Sequence, residues 1–214
     1  MKMNVRSLIF IAIVLVFFTT SPIGGYSDNA VSRYSTGLAL THSDNNIDAI
    51  QAFDEAILLE PHYFEAWNGK ADALNRAKKY QDALAACDQA LAINPGYVQG
   101  WINRGYILYN LGRYDDELKA YDNAIEIDAT SADAWFNRGY ALAALGRYDD
   151  SIQAFDRVAQ INPGYPNLQA NRRIVETNRD ASKPVIVKLA PWLLLLLIII
   201  GGVGWWMYNK RKRR

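Results

Sequence analysis

The middle of this 214-residue chain repeats itself with a period of 34 residues. Trp67, Trp101 and Trp135 show the spacing most clearly, since tryptophan is rare. Three further rows recur at the same spacing: Leu40, Leu74, Leu108 and Leu142; Phe53, Cys87, Tyr121 and Phe155; and Ala56, Ala90, Ala124 and Val158. A fixed period of this length indicates a stacked array of similar units, each packed on its neighbours.

Each repeat is predicted to form two helices. Apolar or small residues in the third repeat recur at three- and four-residue steps, which predicts one buried helix face: Trp101, Gly105, Leu108 and Leu111. Gly112 suits a helix end in the left-handed conformation. Asp115 then begins the second helix, where acidic side chains are favoured, and a proline such as Pro95 ends the helix. Where that proline is absent, we expect Thr130 or Ser131 to cap the following helix.

This pattern of Trp, Gly, Leu, Ala, aromatic residue, Ala and Pro resembles the tetratricopeptide repeat (TPR) family. The resemblance implies an all-α fold: a right-handed α-solenoid of four helix-turn-helix repeats with a C-terminal capping helix, here followed by a single transmembrane helix. The predicted array spans residues 28–183, with repeats at 30–63, 64–97, 98–131 and 132–165 and a capping helix at 166–180. The first repeat departs most, with Arg33 in the tryptophan position.

In the TPR family, the first helices of successive repeats line a concave groove that holds extended peptides or partner helices. The resemblance implies a peptide-binding groove formed by Asn68, Asp72, Asn103, Tyr106, Asn137 and Tyr140. Asparagine amides can pair with both polar groups of a peptide backbone, and tyrosine combines a flat apolar ring with a polar tip. The alternative interpretation, which stays open here, is that Asn103 and Asn137 belong to the repeat pattern and tie helices together.

The N-terminal segment predicts a secretory signal peptide over residues 1–27. Lys2 and Arg6 precede an apolar run at residues 8–18, which small residues follow. As a helix, this run is about 16 Å long, too short for a hydrocarbon core of about 30 Å. Gly25 and Ser27 suit a cleavage site before Asp28, and the alternative is an uncleaved N-terminal anchor.

The C-terminal segment predicts a transmembrane helix at residues 189–208, whose length of about 30 Å matches the hydrocarbon core. Trp192 lies near one end of this apolar segment, and Trp205 and Trp206 lie near the other. A basic tail follows at residues 209–214, so we expect the C-terminus to be cytoplasmic. Together these features predict a single-pass protein of the cell membrane with its repeat array on the extracytoplasmic side.

Charge and chemistry limit the function of the array. Residues 28–183 contain 15 basic and 22 acidic residues, a net charge of −7, which argues against nucleic acid as a partner. The two histidines, His42 and His62, have no metal-ligand spacing, and Cys87 lies in the aromatic row of the repeat, where a small buried residue is expected. We therefore expect no enzyme activity, no metal site and no cofactor.

The sequence thus favours a membrane-anchored protein-protein interaction module that binds a peptide or a partner protein in its groove. The alternative is a structural scaffold subunit of a membrane or envelope assembly, such as export or pilus-type machinery.

Overall fold

The computed structural model describes residues 25–182 together with Ile199 and Trp205. Residues 25–182 form nine helices and no strand: α1 (Asp28–His42), α2 (Asn46–Leu59), α3 (Phe64–Arg76), α4 (Tyr80–Ile93), α5 (Val98–Asn110), α6 (Tyr114–Ile127), α7 (Ala132–Ala144), α8 (Tyr148–Ile161) and α9 (Leu168–Ser182). Unit 1 ends at Ala129 and contains α1 to α6, and unit 2 begins at Thr130 and contains α7 to α9. Four helix pairs and a final helix confirm the predicted all-helical repeat fold.

In three of the four pairs, a glycine of the first helix faces an aromatic ring of the second helix. A Cβ atom added at Gly105 would lie 2.4 Å from Cε1 of Tyr121, so only glycine permits this approach. The second repeat has both partners changed, because Ala71 stands at the glycine position and the smaller Cys87 stands at the ring position. Both are fully buried in one core cluster, so the smaller partner makes room for the added methyl group.

Left-handed residues end the first helix of every pair at the same repeat position. Gly112 and Gly146 have φ values of 71° and 74°, as their sequence context predicts. Asp44 and Lys78 stand at the equivalent positions of the first two repeats and have φ values of 59° and 61°. Because side chains disfavour this conformation, only the 34-residue spacing from Gly112 and Gly146 indicates it for these two residues.

The acidic residues that follow these turns do not act as helix caps. α6 begins at Tyr114, and its N-cap residue Arg113 makes no side-chain capping bond. Instead, Asp116 accepts a bond of 2.6 Å from Nη2 of Arg113, and this bond lowers the pKa of the aspartate. The one predicted side-chain cap that forms is at α7, where Oγ of Ser131 accepts from the N–H of Ala134 at 3.3 Å.

In three places among the described residues, a basic side chain pairs with an aspartate of the preceding helix, 16 residues earlier in the sequence. In unit 1, Nζ of Lys70 lies 2.7 Å from Oδ1 of Asp54, and Nε of Arg104 lies 2.8 Å from Oδ1 of Asp88. In unit 2, Arg172 of α9 makes the same 2.8 Å contact with Asp156. The final helix therefore occupies the place of a first helix, and its role as a cap stays a prediction.

The predicted terminal segments lie largely outside the described residues. Of the signal peptide, the structure describes only residues 25–27. Of the membrane span it describes only Ile199 and Trp205, and the basic tail lies wholly outside. Among the residues that the structure does describe, no helix has the length and apolar character needed to cross a membrane. Tyr26 and Ser27 are packed on unit 1. The ring of Tyr26 stacks on Tyr63 with centroids 3.8 Å apart, and the N–H of Ser27 donates to Glu60 at 3.3 Å. The anchor stays a prediction.

Glu117 is a buried carboxyl group at a position where the other repeats have small residues. Ala49, Ala83 and Ser151 occupy that position elsewhere in the array. Glu117 is 3% exposed, and its Oε2 atom accepts no hydrogen bond from any described residue. Burial raises the pKa of Glu117 from its ordinary 4.5 to about 7, although a hydrogen bond with Tyr121 opposes the shift.

This raised pKa predicts a pH-dependent stability that the substitution Glu117→Gln removes. Folding favours the protonated carboxyl, so the contribution of Glu117 to stability is greatest below about pH 4.5 and falls as the pH rises towards 7. At about 1.4 kcal/mol per pKa unit, the shift from 4.5 to about 7 corresponds to roughly 3 kcal/mol. Because the glutamine amide is itself buried, we expect Glu117→Gln to recover part of this, roughly 2 kcal/mol at pH 8, and very little at pH 4. Urea denaturation of both proteins from pH 4 to 8 measures the difference.

The matched control is Glu126→Gln, which removes the same charge from an exposed position on α6. Its stability should follow the parent protein at every pH. If the parent protein and Glu117→Gln lost stability in parallel between pH 4 and 8, the pH dependence could not be assigned to Glu117.

Candidate functional site

Two asparagine bridges join α3 and α5, the first helices of the second and third repeats. Nδ2 of Asn103 donates to Oδ1 of Asn68 at 3.0 Å, and Nδ2 of Asn110 donates to Oδ1 of Asn75 at 2.9 Å. The two acceptors are buried and lie seven residues apart, two turns along one face of α3. In unit 1, the asparagines thus tie neighbouring repeats together, which favours the structural interpretation of Asn103.

The two other predicted groove residues of unit 1 present more of their surface. Tyr106 on α5 is 53% exposed. Asp72 on α3 is half-buried and accepts a 2.9 Å bond from Nε of Arg76, one turn further along the helix. The exposed ring of Tyr109, also on α5, lies 6.0 Å from the ring of Tyr114. The first helices of unit 1 therefore offer aromatic surface and one partly paired carboxylate to a ligand.

Unit 2 contains the remaining two predicted groove residues, both on α7. Asn137 is half-buried and Tyr140 is 53% exposed. Three residues separate them, so they lie on the same face of the helix. Tyr140 stands 34 residues after Tyr106 and has the same exposure, so this position presents a tyrosine ring in both units.

Sequence reasoning missed an aromatic cluster at the start of α3. The ring of Tyr63, just before this helix, stacks on Tyr26 at 3.8 Å and lies 5.1 Å from the ring of Tyr34 on α1. Nearby, Phe64 meets Tyr97 edge-on at 4.9 Å. Tyr63 and Tyr97 recur with the 34-residue period, two residues after a proline, and that recurrence was the signal available in the sequence.

The cysteine and the two histidines of the sequence all lie in the described part of the chain. Cys87 is fully buried, and its Sγ donates to the carbonyl oxygen of Gly100 at 3.3 Å. Burial raises the pKa of this thiol to about 12, so it is not a reactive thiolate at neutral pH. His42 is exposed at the end of α1, and His62 is exposed in the turn between α2 and α3. Residues 25–182 contain no group of three side chains that could hold a metal ion.

Comparison with known sequences identifies the family. The sequence model of the tetratricopeptide repeat matches residues 34–98, 94–132 and 102–166, which together cover more than half of the chain. The chain therefore belongs to the tetratricopeptide repeat family. No curated protein sequence matches it.

Solved structures of other TPR proteins share the fold. MamA from Desulfovibrio magneticus RS-1, from residue 41 to its end, is 17% identical with a TM-score of 0.62, covering 73% of this chain and 88% of that chain. YrrB, described as a TPR protein with an unusual peptide-binding site, is 19% identical with a TM-score of 0.56, covering 72% and 79%. A TPR protein from Parabacteroides merdae ATCC 43184 is 18% identical with a TM-score of 0.62, covering 72% and 62%. Identities this low show the fold alone.

The bridge between α3 and α5 predicts a stability role for Asn103. Substitution Asn103→Ala removes the donor and leaves the buried Oδ1 of Asn68 without it, which should cost about 1–2 kcal/mol. The shift of the urea denaturation midpoint measures this loss. Asn123→Ala, at a half-buried position on α6, is the control and should have a much smaller effect. Unchanged stability in Asn103→Ala together with lost partner capture would instead assign this residue to ligand binding.

Proposed function

We propose that this TPR protein is a membrane-anchored interaction module that binds an extended peptide or a helix of a partner protein along its first helices. The observation that supports this most directly is the pair Tyr106 and Tyr140. Both occupy the same repeat position, and both leave 53% of their surface exposed. Exposed aromatic side chains are enriched at protein interfaces, where they bury large area at low entropic cost.

The relatives add support at the level of the fold. YrrB is described as having a peptide-binding site, so a TPR protein with a similar backbone accommodates a peptide. The asparagine bridges of unit 1 contribute in a different way, because they hold α3 and α5 together and so keep the residues on these helices pre-positioned. Pre-positioning reduces the ordering cost that a peptide ligand pays on binding.

We also propose that the array lies on the outer face of the cell membrane. The apolar segment at 189–208 and the basic residues after it support a C-terminal anchor with a cytoplasmic tail. The stacking of Tyr26 on Tyr63 supports retention of Tyr26 in the mature chain. Cleavage before Asp28 would remove that ring from unit 1, so this proposal moves the end of any signal peptide upstream of Tyr26.

Site-specific cross-linking tests the binding surface. A photo-reactive benzoylphenylalanine in place of Tyr106, in the full chain produced in cells of the source organism, is expected to cross-link a discrete partner, because a bound peptide covers this ring. Immunoblotting and mass spectrometry of the cross-linked band then identify the partner.

The control carries the same probe at Leu58, which is 82% exposed on α2, a second helix. It should give no such band. Equal cross-linking of one partner from Leu58 and from Tyr106 would place the contact elsewhere on the array and contradict the proposed surface.

Protease accessibility tests the proposed topology. Protease added to intact cells or spheroplasts should digest the repeat array, whereas an epitope tag placed after Arg214 should stay protected, because the basic tail is held on the cytoplasmic side. Resistance of the array until the cells are lysed is the result that would rule this orientation out.

A further inference from the structure

A cleft of about 430 Å³ lies between three helices of unit 1. This volume is in the range of ligand-binding pockets, about 300–1,000 Å³. Lys70 on α3 lines the cleft and stands two residues before Asp72, so these two side chains do not share a face of the helix. The cleft is therefore separate from the binding surface proposed along the first helices. Its lining includes Ile50 and Asp54 of α2, Trp67 and Lys70 of α3, and Asp82 and Ala85 of α4.

The aromatic ring of the cleft, that of Trp67, is held in a fixed orientation. The ring is half-buried, and its indole N–H donates to the carbonyl oxygen of Pro61 at 3.0 Å. Nζ of Lys70 lies 5.4 Å from the ring centroid and 2.7 Å from Oδ1 of Asp54. The ammonium group of Lys70 is thus already paired, and the ring offers flat apolar surface to a ligand.

One short side chain keeps the cleft open. Ala85 is exposed on α4, and the equivalent positions of the other repeats hold the longer side chains of Gln51, Lys119 and Gln153. In the third repeat, Nζ of Lys119 reaches Oδ1 of Asp116 at 3.1 Å. The second repeat has only a methyl group at this position, so no side chain extends from it over the cleft.

Asp82 differs from the aspartates at the same position of the other repeats. Asp48 accepts a hydrogen bond of 2.7 Å from a side-chain amide, and Asp116 and Asp150 form ion pairs of 2.6 Å and 2.7 Å with arginines. Lys79 stands at the arginine position before Asp82, but Asp82 forms no ion pair or side-chain hydrogen bond within residues 25–182. Asp82 is also exposed. The cleft therefore has a carboxylate that is both unpaired and accessible.

The charge of unit 1 favours a basic occupant. Residues 28–129 contain 8 basic and 16 acidic residues, a net charge of −8, whereas residues 130–183 contain 7 basic and 6 acidic residues, a net charge of +1. A strongly acidic unit attracts basic partners, and a guanidinium or ammonium group forms charge-assisted hydrogen bonds with a carboxylate. Two copies of the chain that met at this cleft would bring like charges together, which disfavours a second copy as the occupant.

We propose that this cleft is a second binding site, which takes an apolar side chain followed by a lysine or arginine from a partner segment. The apolar side chain packs on Trp67 and Ala85, and the basic group bonds to Asp82. This site is distinct from the surface that includes Tyr106, so the array can hold two partner segments.

The test uses a short peptide on the full chain in detergent micelles, with its tryptophan indoles labelled with nitrogen-15. Nα-acetyl-phenylalanyl-arginine methylamide is titrated into the millimolar range at constant ionic strength, and Trp67→Phe and Trp101→Phe assign the two signals. We expect a saturable shift at Trp67 and a much smaller one at Trp101, the equivalent residue of the third repeat. The citrulline peptide, which is neutral and of nearly the same shape, should bind about tenfold more weakly.

Ala85→Lys introduces the residue that the third repeat has at this position, so it should cover the cleft, pair with Asp82 and abolish the saturable shift. The matched control is Gln153→Lys, which places the same side chain at the equivalent position of unit 2 and should retain the shift. The comparison of arginine with citrulline needs no variant, so it stays decisive even if Ala85→Lys folds poorly.

Several results would overturn the proposal: no saturable shift at Trp67, an equal shift at Trp101, equal binding of the citrulline peptide, or unchanged binding in folded Ala85→Lys. A Trp67 signal that moves with protein concentration in the absence of peptide would assign the cleft to a second copy of the chain instead. Cross-linking from Tyr106 examines a different surface, so its outcome and the outcome of this titration are independent.

Discussion

The array is built from helix pairs in which a glycine of one helix lies close to an aromatic ring of the other. This close approach sets the distance between the two helices of a pair. Gly105 meets Tyr121 in unit 1, and Gly139 meets Phe155 in unit 2. Because a methyl group at either glycine would collide with a ring, the two helices of a pair pack at one closely defined distance. The second repeat reaches a similar packing with Ala71 and Cys87, both fully buried. In this repeat both partners differ from those of the other three.

Much of the fold could be predicted because of the 34-residue period. A feature recognised in one repeat is expected at the equivalent position of the others. The buried rows, the glycine-ended helices and the final helix followed from comparing equivalent positions. The left-handed conformations of Asp44 and Lys78 did not, since neither residue prefers that conformation, although the spacing to Gly112 and Gly146 points to them. The acidic residues after these turns lie in the first turn of the second helix, as expected from their charge. Local propensity could not show that Arg113 competes for Asp116.

The candidate site was less predictable, because its key contacts depart from the period. Asn103 bonds to Asn68, which is 35 residues away, so the bridge joins two different repeat positions. The period aligns equivalent residues but does not show which neighbours touch across a helix boundary. Exposure of Tyr106, by contrast, agrees with its expected place on the surface.

The ion pairs between successive helices have a consequence for the history of the chain. Since Asp54 pairs with Lys70 and Asp88 pairs with Arg104 at the same separation, loss of residues 64–97 through unequal recombination would bring Asp54 to the correct distance from Arg104. Duplication of the same segment would likewise supply each new aspartate with a cation. Gene rearrangements that add or remove a whole repeat therefore preserve the electrostatic match at the junction, so natural variants of different repeat number are compatible with the same helix-to-helix contacts.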